Sequence, residues 1–259
     1  MAPIKITRRV FQVFFLVATA SLTFKLLRGV QAPTVEYYCP MGGVVSLWGL
    51  IKKQQFICAL SEMNLSLALA VFAGVILTKK SFCSWVCPLG TIFESFAWLR
   101  GKVMKRETLR VPDRADAILG YAKYGVLALI FVLSYRTSEL VFRGYDPFYT
   151  LFTAGKGHGL IAIWSLVILG GILVGTFLFE MAWCRYLCPL GAALNPLSKI
   201  GLLKVKRNSE TCNECGSCDR VCLQRISVSK ATKVSNMDCT NCLSCMGKCK
   251  ARGAMGLGV

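Results

Sequence analysis

The sequence predicts an all-α membrane protein of four transmembrane helices with a small cysteine-rich domain appended at its C-terminus. Three observations carry this. The 259 residues are 54% hydrophobic with only 17% charged, and mean hydropathy is +0.53, high for a soluble domain. Four long apolar stretches alternate with basic segments, and the last fifty or so residues are polar. Fourteen cysteines fall mostly in dense C-x2-C and C-x3-C runs, not at the loop-closing spacings of a secreted disulfide scaffold.

A bilayer core of ~30 Å needs about 20 helical residues. The first span is placed at residues 10–27, where Lys25 near the outer end can snorkel. It follows a basic start (Lys5, Arg8, Arg9) with no convincing small-residue cleavage site, so it reads as a span and not as a signal peptide. The others are placed at 65–77, 118–135 and 160–181. The second is short, and residues 44–63 are expected to form a re-entrant or interfacial segment leading into it.

Positive charge orients the bundle. Lysine and arginine crowd the N-terminus, the connection after the second span (Lys79, Lys80, Arg100, Lys102, Lys105, Arg106, Arg110, Arg114) and the stretch after the fourth (Lys199, Lys204, Lys206, Arg207). The opposite connections are poorer: Arg28, Lys52 and Lys53 in one, Arg136, Arg143 and Lys156 in the other. Both termini and the cysteine-rich tail are therefore expected on the cytoplasmic side of a bacterial inner membrane. Segments 91–106 and 192–207 mix apolar and basic residues and are expected along the cytoplasmic surface.

The chain repeats itself. Phe82-Cys83-Ser84-Trp85-Val86-Cys87-Pro88-Leu89-Gly90 matches Trp183-Cys184-Arg185-Tyr186-Leu187-Cys188-Pro189-Leu190-Gly191. A second pair lies upstream, Tyr38-Cys39-Pro40-Met41 against Tyr145-Asp146-Pro147-Phe148. Two repeats, about 10–106 and 118–207, share one orientation, which predicts pseudo-symmetry about an axis along the membrane normal. The repeated cysteine motifs would then face each other. The membrane module is residues 1–207 and the tail domain 208–259.

In the tail, Cys212, Cys215, Cys218 and Cys222 have the spacing C-x2-C-x2-C-x3-C, and Cys239, Cys242, Cys245 and Cys249 repeat it. This is the run that ligates two [4Fe–4S] clusters, each fourth cysteine serving the other cluster. One cluster is assigned to Cys212, Cys215, Cys218 and Cys249, the other to Cys239, Cys242, Cys245 and Cys222. Zinc needs only four ligands in two pairs and does not account for two matched runs. The proline usual after the fourth cysteine is replaced by Leu223 and Lys250. Gly216 and Gly247 are expected to give the loops backbone freedom near the metal. The formal charge of +18 treats cysteines as neutral, and two ligated clusters would remove about four units of it.

C-x3-C-P is the second half of such a run. Cys83, Cys87, Cys184 and Cys188 could together hold a further cluster, or serve as a docking or thiol-redox contact without one. Cys39 and Cys58 read as unremarkable thiols, a disulfide, or a contact for a redox partner. A single histidine, His158, and no C-x-x-C-H motif exclude a pair of intramembrane haems and covalent haem. No phosphate-binding glycine loop is present, and the basic residues flank membrane segments, which speaks against nucleic acid.

The four spans, the two C-x3-C-P-L-G motifs and the doubled run together resemble the NapH-type membrane ferredoxins, over nearly the whole chain. The resemblance implies an electron-transfer subunit of a membrane redox complex with quinone as a partner, other redox subunits beside it, and ligand roles for the motif cysteines. Accessory ferredoxins with related architecture imply an alternative, a maturation or regulatory factor supplying electrons for another enzyme's metal centre. A cluster-bearing structural anchor is a third reading.

Overall fold

The computed structural model describes residues 2–29, 40–44, 61–103, 111–137, 146–153, 159–251 and 253–259. Cys39, Cys58, His158 and most of segment 44–63 lie outside the described residues.

Helix α1 (Ala2–Leu27) is the longest element. At 1.5 Å per residue its 26 residues reach roughly 39 Å, longer than a bilayer core, so its basic first turns project beyond the apolar run. α2 (Ser61–Thr78) leads through the short α3 (Ser81–Trp85) into α4 (Pro88–Val103). α5 (Asp113–Thr137) is followed by α6 (Pro147–Thr153), α7 (Gly159–Leu178), a π-helical turn (Trp183–Leu187) and α8 (Pro189–Ile200).

Among the described residues two helices are long and apolar enough to cross a membrane, Ile4–Leu27 and Arg114–Arg136; Asn64–Thr78 and Ile163–Leu178 are shorter apolar helices. A core helix of a soluble protein would be mostly buried. Here Val10, Val13, Phe14 and Val17 of α1 are each more than half exposed, as are Leu129 and Val132 of α5 and Ile163, Trp164 and Val167 of α7. Apolar surface on this scale, carried by helices long enough to span, is the surface a bilayer covers. The chain is a membrane protein.

The duplicated motif folds alike in its two copies. In each, an apolar helix (α2, α7) ends at a non-glycine residue in the left-handed region, Lys79 (φ 60°) and Met181 (φ 56°). Then the aromatic residue's carbonyl accepts the second cysteine's N–H five residues on: Cys87 N–H to Phe82 O (3.0 Å) and Cys188 N–H to Trp183 O (2.8 Å). This wide turn fixes the aromatic-C-x3-C spacing. Proline then opens the next helix, where its missing N–H costs nothing and its φ is already helical.

The tail is a small unit of loops around two short helices, α9 (Ser217–Arg220) and α10 (Ser244–Lys248), closed by a two-stranded antiparallel sheet. β1 (Lys204–Arg207) pairs with β2 (Met255–Gly258) in the register Lys204↔Gly258 to Arg207↔Met255. Residues 204–207, expected as part of a surface segment, are thus a strand. Lys-Val-Lys-Arg alternates with period two, and Val205 is the buried member, packed with Ile226, Val228, Val234, Leu243, Met246 and Met255. The boundary drawn at 207/208 falls at the end of this strand.

Candidate iron–sulfur sites

The two cysteine loops of the tail share one backbone device. The residue before the second cysteine is left-handed in each, Glu214 (φ 49°) and Asn241 (φ 44°). So is the residue after it, Gly216 (φ 62°) and Leu243 (φ 57°). Such alternation curls the chain so that successive N–H groups point inward, a concavity that favours an anionic centre. Glycine fills one of these positions at no steric cost, whereas Leu243 tolerates the strain because its side chain is buried in the tail core. Gly247 does not serve the backbone as expected. It makes room for a lysine: a Cβ there would lie 2.1 Å from Lys5 Cε.

Cys222, Cys239, Cys242 and Cys245 line one cavity of about 40 Å³. Burial, then the neighbouring thiols, pushes Cys222 and Cys245 up to about 12. Ile226 N–H donates to Cys222 Sγ (3.4 Å). These thiols are half-buried, and Cys222, Cys239 and Cys245 resist ionisation on their own, which fits a cationic core that would bind them as thiolates. Cys212, Cys215 and Cys218 lie on a more open loop. Cys215 is exposed, and its hydrogen bond with Ser217 holds its thiol below the usual range. Cys218 and Cys249 pack against the tail core. Among the described residues no three Cys, His, Asp or Glu side chains converge to grip a single ion. An iron–sulfur cubane is wider than one ion, so its ligands stand apart instead of meeting at a point.

Cys83, Cys87, Cys184 and Cys188 come together at one end of the bundle, close enough to disfavour one another's ionisation. Burial is the first cause in each case and raises Cys83 and Cys87 to about 12 and Cys188 to about 11. Cys188 caps α8, with Gly191 N–H donating to its Sγ (3.4 Å). The Pro-Leu-Gly that follows each second cysteine has a packing reason. A Cβ on Gly90 would lie 2.3 Å from Cys83 O, while one on Gly191 would lie 3.4 Å from Cys184 O. Gly90→Ala is therefore expected to destabilise the protein by about 1–3 kcal/mol through overpacking, and Gly191→Ala to be tolerated. Thermal unfolding of the two variants in detergent measures the difference.

The intervening residues of the two copies differ because they bind different neighbours. In the second, Arg185 and Tyr186 both hydrogen-bond the Asp116 carboxylate of α5. In the first, Ser84 Oγ donates to Thr240 O (2.8 Å) and Trp85 Nε1 to Asn241 O (3.2 Å). The turn carrying Cys83 and Cys87 thus lies directly on the loop carrying Cys239 and Cys242. Arg8 of α1 ties both: Nε donates to Ser84 O (3.2 Å), Nη1 to Cys242 O (3.1 Å), and Nη2 pairs with Glu94.

A second contact between bundle and tail centres on Asp238. Its Oδ1 accepts from Lys80 Nζ (3.0 Å) and Lys123 Nζ (2.6 Å). Lys80 also donates to Asn195 Oδ1 (2.5 Å), and Lys79 Nζ to the Val234 and Asn236 carbonyls (3.0 and 2.8 Å). Burial alone would raise the Asp238 carboxyl, but Lys80 and then Lys123 outweigh it and hold it below the usual carboxylate range. Burial lowers Lys79, against the opposing pull of Cys239.

Reading charge along the sequence assigned Arg8, Lys79 and Lys80 to topology and passed over Lys123, Asp146 and Asp238. Lys123 had a signal: an ionisable residue inside an apolar span marks a site by default. Asp146 is buried beside two of the bundle cysteines, Cys87 and Cys188. Its Oδ1 accepts Phe148 N–H (3.0 Å), and burial pushes its carboxyl up to about 7.

Thiols grouped in two loops and at a bundle end, within a membrane chain, are the grouping that an iron–sulfur electron-transfer protein needs. The comparisons agree. The family described as "4Fe-4S binding domain" matches twice, over residues 62–106 and 161–208, so each match contains one C-x3-C-P motif and neither reaches the tail runs. An uncharacterised protein of Methanocaldococcus jannaschii is 33% identical over 78% of this chain and 82% of its own length. The ferredoxin-type protein NapH of Escherichia coli is 27% identical over 74% of this chain and 69% of its own. The "Putative electron transport protein YccM" of Escherichia coli is 30% identical over 83% of this chain, which spans 61% of that protein's length. No solved structure matches. The chain belongs to the NapH-type membrane ferredoxin family.

Proposed function

We propose that the chain is the electron-transfer subunit of a membrane redox complex, linking the quinone pool to cytoplasmic clusters or a partner oxidoreductase. Four helices, α1, α2, α5 and α7, cross the bilayer as two repeats, with both termini and the tail in the cytoplasm. Cys212, Cys215, Cys218 and Cys249 hold one [4Fe–4S] cluster and Cys239, Cys242, Cys245 and Cys222 a second. Cys83, Cys87, Cys184 and Cys188 hold a third at the cytoplasmic end of the bundle. Such clusters supply one-electron carriage. The chain's own residues exclude water from the thiols, aim N–H groups at them and fix the two loops against each other.

The observation that carries this reading is the pair of hydrogen bonds from Ser84 and Trp85 to the carbonyls of Thr240 and Asn241. They put the bundle thiols and the Cys239–Cys245 loop in direct contact, as continuous electron carriage requires. The match to a 4Fe-4S binding domain supports a cluster at the bundle motifs, since those motifs are what the match covers.

Iron and sulfide counting on the full-length protein, purified without oxygen, is expected to give about twelve irons per chain. About eight would remove the bundle cluster. In liposomes, dithionite-reduced protein should be reoxidised by added quinone, and no quinone-dependent reoxidation would sink the quinone link.

A further inference from the structure

We infer that the cavity between α1 and the two cysteine turns is the headgroup site of a lipid-soluble quinol, the reduced form of the quinone, with the Asp146 carboxylate accepting from its hydroxyl. This rests on the quinone-linked reading above and gives it a location.

The cavity measures about 360 Å³, inside the range of small-molecule sites, roughly 300–1,000 Å³. Its walls are carbon: Phe14 and Phe15 of α1, Met41, Leu67, Phe148 and Trp183. Among the described residues on these walls Asp146 is the one charged side chain, and it is nine-tenths buried. Phe148 N–H occupies one acceptor position of its carboxylate, which has about four. An apolar pocket with a carboxylate acceptor on its wall suits the reduced, quinol form, a flat ring whose hydroxyl groups donate.

Three further features narrow the occupant. Cys87 and Cys188 line the cavity while Cys83 and Cys184 do not, so it is a chamber beside the four thiols and not the seat of a cluster held by all four. A second, open groove runs along the lipid-facing side of α1 through Val10, Val13 and Val17, and shares Phe14 and Ala18 with the cavity. A ligand dissolved in the bilayer therefore reaches the chamber sideways without crossing water. The upstream repeat pair places Cys39 where the second half has Asp146, so only one half supplies a carboxylate and one site results. An acyl chain would match the walls but offer no donor to the carboxylate lone pairs that the Phe148 and Tyr149 N–H groups leave open.

The test uses full-length protein in detergent, the reduced short-chain decylquinol for affinity and an azidoquinone for photolabelling, with iron content measured throughout. Label is expected on peptides of α1 and residues 146–153. Asp146→Asn is expected to weaken decylquinol binding about tenfold or more, the worth of one charge-assisted hydrogen bond. Ala18→Trp, which fills the shared opening away from the thiols, should abolish binding with iron unchanged, and it decides the matter if Asp146→Asn loses iron. Label elsewhere, with Ala18→Trp binding normally, overturns the site and leaves the electron-transfer reading standing. Displacement of decylquinol by phospholipid at equal affinity makes the cavity a lipid site and overturns the proposal. Wild-type protein that binds neither quinol nor quinone overturns both.

Discussion

Cys222→Ala is expected to cost about four irons per chain, and those irons come from the cluster of the second run, not from that of Cys212, Cys215 and Cys218. Cys222 lies four residues after Cys218, yet it shares its cavity with Cys239, Cys242 and Cys245. The charges that raise its thiol are those of Cys242 and Cys239, after burial. Iron counting on paired variants reads the exchange directly. Cys222→Ala combined with Cys239→Ala should lose no more iron than either alone, because both serve one cluster. Cys222→Ala combined with Cys212→Ala should lose about eight. The reverse pattern, with Cys212 and Cys222 non-additive, would mean that each run closes its own cluster. Cys249→Ala with Cys212→Ala is the mirror test and should be non-additive.

How far the site was legible in the sequence depended on whether a residue acts through local spacing or through distant contacts. The tail runs, the duplicated motif and the proline that starts each following helix are local, and the turns that carry them fold as their spacing requires. Gly216 was legible for the same reason, since a left-handed residue after the second cysteine calls for glycine. Leu243 occupies the equivalent position with the same φ and gave no sign of it, because its compensation is burial among residues remote in sequence. Gly247 was misread as a backbone device when its partner is Lys5, nearly the whole chain away. Strand β1 was missed because four alternating residues beside a helix look like its amphipathic end until β2 is known to pair with them.

Charge was the least legible layer. Lysines and arginines that flank spans set topology on average, and nothing local separates one that is solvated from one that is buried against a partner. Lys79 is fully buried and Lys80 nearly so, while Arg9 of the N-terminal cluster is half exposed at its side chain. The distinction is made by the tail, which brings Asp238 and the carbonyls of Val234 and Asn236 to these lysines. Positive charge beside the membrane therefore does two things here. It follows the topological bias, and it fastens the cysteine-rich domain to the bundle that carries the other thiols.

That fastening is the basis for the second large effect. Asp238→Ala is expected to destabilise the docked tail by about 2–4 kcal/mol, somewhat less than the loss of one partner from a fully buried ion pair because the Asp238 side chain is 31% exposed. The side chains of Lys80 and Lys123 are 5% and 2% exposed, so both ammonium groups would be left without their carboxylate. Thermal unfolding and limited proteolysis of the tail in detergent measure the loss. Because Asp238 adjoins Cys239, iron loss alone would not separate docking from ligation. Lys123→Met in the Asp238→Ala background settles it: removing a stranded buried charge should restore part of the stability, whereas a ligation defect would not respond. Acid should act in the same direction. The carboxyl is held below its usual range, so its contribution is complete above the ordinary carboxylate pKa and is lost as pH falls through the lowered value. Tail protection that is unchanged by Asp238→Ala would place the docking energy in the Arg8, Ser84 and Trp85 contacts instead.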